Sequence, residues 1–556
     1  MIYRYSELIR TSKKLIIPWN SYINKLTYVS ECEEICSESI EYSKNAATLI
    51  SFSRTNQKIY SSASSSVSKD ELNRVLTNRG FKRKLLPYQL NNVRRLVSLN
   101  SGATFSVPGS GKTTEALAFF AYKSEPKDTL FVIAPINAFS AWDKELQDCY
   151  EDDNLSLTQI TSTKPILVKQ ILKSNKMFIV NYHKLDKIKE IIAEYLLGNP
   201  TIMFVDESHY IKTLTSNRTS AALSFSHLPK AKLIMSGTPL PNSVDDIIPQ
   251  FNFIYPEILA YRETVVDQIR NVYVRTTRNQ LGILQGRFIP VSIPFSDSAR
   301  KIYRIFRNDV ISNVNYQSAV EIQRIKRSVI LILQLISNPI LLLNRIQQIP
   351  RFPNELLQNI DSPKLDYTCE VARKFDAQNK KVIIWTSFRK NIDILAYRLK
   401  DINCRIIMGG VSPSERKEAI ELFNNSNSCN VIIINPAAGS EGISLHYQCH
   451  HAIYIDRTFN AVHWLQSQDR IRRIGQEKEP VFEILFHQNT IDERIDLRLR
   501  DKVRVMQEVL DDYTINVEKE PIQYVDDEDN VESYDGFDID FKDLKYVVDC
   551  FKDESL

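Results

Sequence analysis

The stretch "FSVPGSGKTTEAL" compresses Gly109, Ser110, Gly111, Lys112 and Thr113 into five consecutive positions, directly ahead of a helical pattern from Thr114 to Phe120. Glycines at Gly109 and Gly111 let backbone N–H groups curl around phosphate oxygens. Lys112 is long enough to reach β- and γ-phosphates, and the Thr113 hydroxyl can ligate Mg²⁺. Pro108, Ser110 and Thr114 complete the expected cradle. The strict eight-residue form asks for glycine at its first position, where this chain has Ser106. Only 14 glycines occur in 556 residues, so this clustering argues for a phosphate loop over a helix-capping turn. A magnesium nucleotide also needs a carboxylate at a strand end, and "TIMFVDESHY" supplies Asp206 and Glu207. Asp206 would hold Mg²⁺ through water and Glu207 would polarise an attacking water. The alternative is an acidic pair that caps the next helix. ATP and Mg²⁺ are the expected cofactors.

A third cluster lies far downstream, in "WLQSQDRIRRIGQ". Counted on a helix, Gln466, Arg470 and Arg473 stand at i, i+4 and i+7 and share a face, with Arg472 off it. Two guanidinium groups aimed into one cleft suit a polyphosphate; a solvated basic patch is the simpler alternative. Phosphoryl transfer needs positive charge at the γ-phosphate, so Arg470 and Arg473 are read as arginine fingers and Gln466 as a nucleotide contact. Arg472 is expected to be dispensable for hydrolysis.

Positioning these groups calls for short buried strands. "TLFVIAPI", "KMFIVNY", "TIMFVDE" and "KLIMSGT" alternate with helical segments, and "KVIIWTS", "CRIIMGG", "NVIIINPA", "HAIYIDR" and "VFEILFH" repeat the pattern later. Apolar runs separated by helices predict parallel sheets covered on both faces. The expected fold is α/β, with two tandem RecA-like lobes. Residues 80–295 form the first lobe, 296–360 a helical insertion and linker, 361–510 the second lobe and 511–556 an acidic tail. Residues 1–79, ending in the serine-rich "SSASSSVSKDE", form a small accessory region. Lys112 and Glu207 then belong to one lobe and the arginines to the other, with ATP expected between them.

A hydrophobic fraction of 43% with 25% charged residues is that of a globular protein. No apolar run is long enough for a membrane span and no signal-peptide pattern opens the chain, so a cytoplasmic location, nucleoid-associated if bacterial, is expected. Residues 511–556 hold 16 acidic and 4 basic residues, net −12, which leaves the body near +16 against an overall +4. Such a body suits an acidic polymer, and the tail either competes for that surface or keeps the chain soluble. Among the eight cysteines, Cys32 and Cys36 make a lone CxxxC and the rest stand singly. No zinc pattern results, and reduced, mostly buried thiols are expected.

These motifs, in this order, resemble the Swi/Snf family of double-stranded-DNA translocases within helicase superfamily II, from about residue 81 to 510. "LLPYQLNNVRRLV" resembles the family's first motif, which implies that Gln89 reads adenine. "DESHYIKTLTSNRTSAAL" is similar to its DEAH-type box with downstream Lys212, Arg218 and Thr219. "MSGTPLPNSVDDI" resembles the coupling motif, carried by Ser236, Gly237, Thr238, Pro239 and Asn242. "LQLISNPILLL" keeps Asn338 and Pro339, and "QSQDRIRRIGQ" ends in the Ile-Gly-Gln that strand-separating relatives usually lack. Departures are Phe105 to Pro108 in place of the acidic Asp-Glu-Met, Ser208 in place of alanine, and Ala437 in place of arginine in "NPAAGSEGISL". That segment keeps Gly439 and Gly442, the latter expected near ATP, but adds Glu441, which would repel phosphate.

The resemblance implies ATP-driven movement along duplex DNA by sequence-independent grip on phosphates. Candidate contacts are Asn137, Ser140, Asn181, Tyr182, Arg389, Ser440 and Ser444, each of which could equally be a surface or capping residue. Lacking bromodomain-, chromodomain- or SANT-like additions, the chain points to a small bacterial, phage or viral translocase in a DNA-processing or defence assembly. A strand-separating DNA or RNA helicase and an ATP-gated switch with little turnover are the alternatives. Residues 1–79 and the acidic tail are candidate surfaces for a protein partner; residues 1–79 could equally bind DNA or buttress the first lobe.

Overall fold

Buried β-branched runs set the architecture. The computed structural model describes residues 9–11, 14–16, 44–61, 66–152, 154–312, 319–342, 361–439, 443–513, 515 and 539–553. The chain divides into two units, Met1–Thr277 with Glu508–Asp512, and Arg278–Gln507 with Tyr513–Leu556.

In the first unit a small antiparallel pair, β1 (Ile9–Thr11) and β2 (Lys14–Ile16), precedes the main sheet. That sheet contains β3 (Ser101–Thr104), β4 (Thr129–Ile133), β5 (Thr158–Gln159), β6 (Met177–Val180), β7 (Thr201–Asp206), β8 (Ala231–Met235) and β9 (Tyr273–Val274). Its order is β5-β6-β4-β7-β8-β3-β9, parallel throughout. Leu130, Val132, Ile202, Phe204, Leu233 and Met235 face a core that includes Leu117, Trp142 and Leu146 from helices Lys112–Lys123 and Phe139–Cys149. Their neighbours Phe131, Ile133, Met203, Val205 and Ile234 are equally buried, as a sheet covered on both faces requires. Helix Lys69–Asn78 sends Leu72 and Leu76 into the same core. Ahead of it, Tyr60 on helix Lys44–Ser61 packs edge-on against Tyr255, ring centroids 5.1 Å apart. Helices Lys44–Ser61 and Lys69–Asn78 of the accessory region thus pack against the first lobe.

The second unit holds β10 (Arg287–Ser292), β11 (Lys381–Trp385), β12 (Cys404–Ile407), β13 (Val431–Ile434), β14 (Cys449–Tyr454) and β15 (Val481–Phe486). These form a parallel sheet of order β10-β15-β14-β11-β13-β12. The architecture is that of two RecA-like lobes. The expected first-lobe boundary at 295 is displaced, because β10 pairs in register with β15, Arg287 opposite Val481, and so belongs to the second sheet. Pro290 is tolerated there because β10 is an edge strand.

A second correction concerns the acidic tail. Phe541–Asp553 is a helix, and its Leu544, Val547, Val548 and Phe551 share a buried core with Ile302, Phe306, Ile332 and Ile336 of helices Asp297–Ser312 and Ala319–Ser337. Asp543 is fully buried, 2.7 Å from the Lys502 ammonium and 2.8 Å from Arg498 Nε. The described cysteines are free thiols, all buried except the half-buried Cys404; Cys32 and Cys36 lie outside the described residues. No described helix is long and apolar enough to cross a membrane.

Candidate nucleotide-hydrolysis site

The phosphate loop follows β3. Gly109 (φ 85°) and Gly111 (φ 82°) take left-handed conformations that a side chain would strain, and Gly111 caps helix Lys112–Lys123. Two left-handed glycines directly ahead of a helix N-terminus are the backbone arrangement that suits a bound phosphate. A Cβ on Gly111 would meet Gln89 Nε2 at 2.2 Å, so glycine also admits the neighbouring side chain. Gln89 Nε2 and the Tyr88 hydroxyl both donate to the Ser110 carbonyl, at 3.0 and 3.1 Å, which sets the expected adenine reader against the loop. Lys112 folds back, donating to the Ser106 carbonyl at 3.0 Å. The Ser110 hydroxyl is buried with no protein partner, as suits a group that awaits a ligand. Thr114 turns away from the cradle: it is buried, and its hydroxyl bonds to the Glu145 carboxylate.

Asp206 ends β7, with its carboxylate accepting from Trp142 Nε1 and from the Glu207 amide, both at 2.9 Å. Burial, followed by the Glu207 charge, pushes the Asp206 carboxyl up to about 6, while Lys112 pulls the other way. The donors here, a Thr113 hydroxyl and an Asp206 carboxylate, are the hard oxygens that Mg²⁺ prefers, with substrate phosphates making up the remaining sites. Glu207 adopts a left-handed φ of 50°, unusual for a side chain and costing about 1–2 kcal/mol. The strain aims its carboxylate at Ser236 Oγ (3.4 Å) and His209 Nδ1 (3.3 Å), while His209 and Ser236 are 3.1 Å apart.

Sheet order explains this triangle. β8 lies between β7 and β3, so Ser236 and Gly237 emerge between the acidic pair and the phosphate loop. A Cβ on Gly237 would stand 2.9 Å from Pro108 Cδ. Thr238 donates its amide to Ser236 Oγ at 3.1 Å. Ser208, where the family has alanine, donates to Gln250 Oε1 at 2.6 Å, and Gln250 Nε2 in turn donates to the Pro239 and Asp246 carbonyls. That substitution is an added strut beneath the coupling segment.

In the second unit the helical phasing fails. The helix ends at Gln468, with Asp469 as its C-cap. Gln466, Arg470 and Arg473 therefore do not share a helix face. The two arginines still converge, Arg470 Nη1 and Arg473 Nη1 donating to the Ile443 carbonyl at 2.8 and 3.2 Å, and Arg473 also bonds to Ser444 Oγ. Gln466 is buried, its carbonyl accepting from Arg470 Nε. Arg472 is among the largest fully buried side chains, its Nε near the Leu284 carbonyl, so it is a packing residue and no surface spare. Ser440, Glu441 and Gly442 lie outside the described residues.

Among the remaining candidates for phosphate contact, Asn137, Ser140 and Arg389 are exposed. Tyr182 is not: it is buried, its hydroxyl donating to the Asp206 carbonyl and its ring stacked on Tyr210 with centroids 5.0 Å apart. Asn181 is buried as well, with Oδ1 lacking a protein partner. Sequence reasoning missed Glu115, His209, Trp142 and the buried Arg278–Asp469 ion pair at 2.9 Å. It also missed a buried network around Asp456, whose oxygens accept from Ser337, Thr386 and the Ser387 amide at 2.6–2.7 Å. Asn391 bonds to that network and to Asn338, which gives the family's asparagine a structural task. None of these partners is adjacent in sequence, so only the fold could reveal them.

A phosphate loop, an Asp-Glu pair and a coupling segment on neighbouring strand ends of one RecA-like lobe, with a second such lobe carrying paired arginines, define a helicase-type ATPase. Family models sharpen the class: a SNF2-related domain matches residues 88–289 and a helicase conserved C-terminal domain matches 363–475. The chain belongs to the SNF2-type ATPases of helicase superfamily II. It is 23% identical over 477 residues to the ISWI chromatin-remodeling complex ATPase ISW1 of Saccharomyces cerevisiae, covering 78% of this chain and 41% of that protein. It is 26% identical over 407 residues to an uncharacterized ATP-dependent helicase of Mycoplasma pneumoniae, covering 70% and 38%. Among solved structures, the Sulfolobus solfataricus SWI2/SNF2 ATPase core in complex with dsDNA matches with 19% identity and a TM-score of 0.33, over 78% of this chain and 97% of that one. The chain spans between about a quarter and two-fifths of the length of the curated relatives it matches, from 27% to 41%.

Proposed function

We propose that the chain hydrolyses ATP in response to double-stranded DNA and uses the cycle to move along the duplex. The observation that carries this reading is the order β7-β8-β3, which sets Glu207, Ser236-Gly237 and the phosphate loop side by side. Lys112 and the loop amides hold the triphosphate, and Glu207, aimed by Ser236 and His209, orients the attacking water. Bound Mg²⁺, held by Thr113 and through water by Asp206, would neutralise the β- and γ-oxygens. Arg470 and Arg473 offer positive charge to the transition state. Their shared anchor at the Ile443 carbonyl fixes where both guanidinium groups start. Duplex rather than single-stranded DNA is favoured by the SNF2-related match and by relatives that remodel chromatin. Asn137, Ser140, Arg389 and Ser444 are the proposed backbone contacts, and their grip is expected to weaken as salt rises.

Steady-state ATP hydrolysis, measured without nucleic acid and with single-stranded DNA, duplex DNA or duplex RNA, tests the reading, with Glu207→Gln as the blank. Strong stimulation by duplex DNA alone supports it. Stimulation by single strands would replace it with a strand-separating helicase, and bound ATP without turnover would replace it with a switch.

A further inference from the structure

Beneath the phosphate loop, five side chains from separate parts of the first unit close a buried ring. Asn92, on helix Pro87–Ser98, donates through Nδ2 to Glu115 Oε1 at 2.7 Å and to Thr276 Oγ1 at 2.9 Å. Glu115 Oε2 accepts from Thr104 Oγ1 at 2.8 Å, and Thr104 Oγ1 lies 3.2 Å from Ser106 Oγ. The Thr276 amide completes the circuit by donating to Ser106 Oγ at 2.9 Å. Glu115, Thr104, Ser106 and Thr276 are buried. Each junction ties down part of the nucleotide cradle. Ser106 is the loop's first residue and the one whose carbonyl receives Lys112, while the Thr276 carbonyl holds the Val107 amide at 3.1 Å. Asn92 stands one turn after Gln89, on the helix that grips Ser110. Ser106 thus contributes a hydroxyl to the ring where the strict motif would have a glycine without one.

Glu115 is the member that joins the two halves, because both of its oxygens are engaged and they face different elements. A buried carboxyl is costly to keep, and here burial raises its pKa, against the pull of Asn92, Thr104 and Lys112. The charged and titratable groups on the neighbouring elements are otherwise engaged: Tyr88 on Ser110, Arg275 on Asp512 and Glu145 on Arg83. Lys112 holds backbone carbonyls, bonds it can give up for a phosphate.

We propose that Glu115 is a positioning residue that, through this ring, holds the phosphate loop and the adenine-facing helix in one fixed relation before ATP arrives. The proposal rests on the reading of this site as an ATPase. A cradle set in advance binds without the cost of ordering it, so opening the ring weakens ATP binding more than it slows the chemistry at Glu207.

The test is ATPase kinetics, with direct binding of a fluorescent ATP analogue, on wild type, Glu115→Ala, Glu115→Gln and Asn92→Ala. Glu115→Ala is expected to raise KM about tenfold and to weaken analogue binding likewise, with kcat within about twofold of wild type. Glu115→Gln is isosteric and offers an acceptor to Asn92 and a donor to Thr104, so it should restore KM to within about twofold. Asn92→Ala, at a half-buried site, should give a smaller KM increase of the same kind, and it decides the matter if Glu115→Ala does not fold. Unchanged KM in the alanine variants, or a loss in Glu115→Gln equal to that in Glu115→Ala, would overturn the positioning role. A wild type that neither binds nor hydrolyses ATP would remove the ATPase reading, and the ring's role with it.

Discussion

Replacing Asp543 with alanine should unfold the second unit at markedly lower denaturant, although Asp543 lies in the most acidic part of the chain. Its carboxylate meets the Lys502 ammonium at 2.7 Å and Arg498 Nε at 2.8 Å, and the Lys502 side chain is only 1% exposed. Burial and Asp540 push the Asp543 carboxyl up while the two cations pull it down. Removing one partner of such a pair typically costs about 3–5 kcal/mol, because the other charge stays buried. Here Lys502 retains the Phe459 carbonyl at 2.9 Å and Asp540 Oδ2 at 3.8 Å, and Arg498, 18% exposed, can turn to water, so the low end applies. A loss of about 3 kcal/mol, at a urea m-value of about 3 kcal/mol/M, lowers the midpoint by about 1 M. Equilibrium urea unfolding followed by circular dichroism measures it. A companion change, Lys502→Met in the Asp543→Ala background, removes the buried cation whose nearest carboxylate is gone and should recover part of the loss. An Asp543→Ala midpoint equal to wild type would mean that the terminal helix does not stabilise the unit. A double variant no better than the single would refute the stranded-charge argument even if the helix does dock.

Two further outcomes follow from burial in the second unit. Arg472→Ala empties a fully buried site and is expected to cost about 2–4 kcal/mol in urea unfolding, whereas Arg473→Ala should keep a near-native midpoint and lose ATP turnover; equal effects on both properties would contradict their separate roles. His487 is buried with Nε2 unpartnered, and burial pushes its pKa down to about 4. The folded value lies below the unfolded value of about 6.5, so stability is full above the unfolded value and falls as pH drops toward 4, by about 2 kcal/mol at pH 5. His487→Gln should shrink the difference between midpoints at pH 7 and pH 5, and an undiminished difference would assign the acid sensitivity elsewhere.

Much of this fold was legible because parallel strands buried on both faces must be apolar along their whole length. β6 and β13 announce themselves that way from end to end; β4, β7, β8, β11, β12, β14 and β15 do so through apolar stretches bounded or interrupted by polar residues such as Lys232, Arg405, His450 and Glu483. β3 does not: "SGAT" has no apolar run, and the structure shows why, since a Cβ on Gly102 would lie 3.0 Å from Leu96 Cδ2 and from the Val272 carbonyl. The terminal helix was readable too, with Leu544, Val547, Val548 and Phe551 at i, i+3, i+4 and i+7, but a count of charges over 511–556 averages that pattern away. The phosphate loop and the Asp-Glu pair could be found because their chemistry is local in sequence. The Glu115 ring and the Asp456 network could not, because each gathers residues more than a hundred positions apart. Arg470 and Arg473 were chosen for reasons of charge, and the helix used to justify their convergence stops short of both.

Gly237 and Pro108 leave no room for a side chain between the coupling segment and the phosphate loop. Packed protein is nearly incompressible, so two surfaces in such contact cannot be displaced independently. A shift of Pro108 toward Gly237 would press on the coupling segment, and the adjoining Ser236 hydroxyl lies 3.4 Å from the Glu207 carboxylate. In the proposed cycle, filling of the loop would thereby bear on the Glu207 carboxylate by contact, without a moving charge or a hinge. A single missing methyl group is what lets the two segments approach so closely.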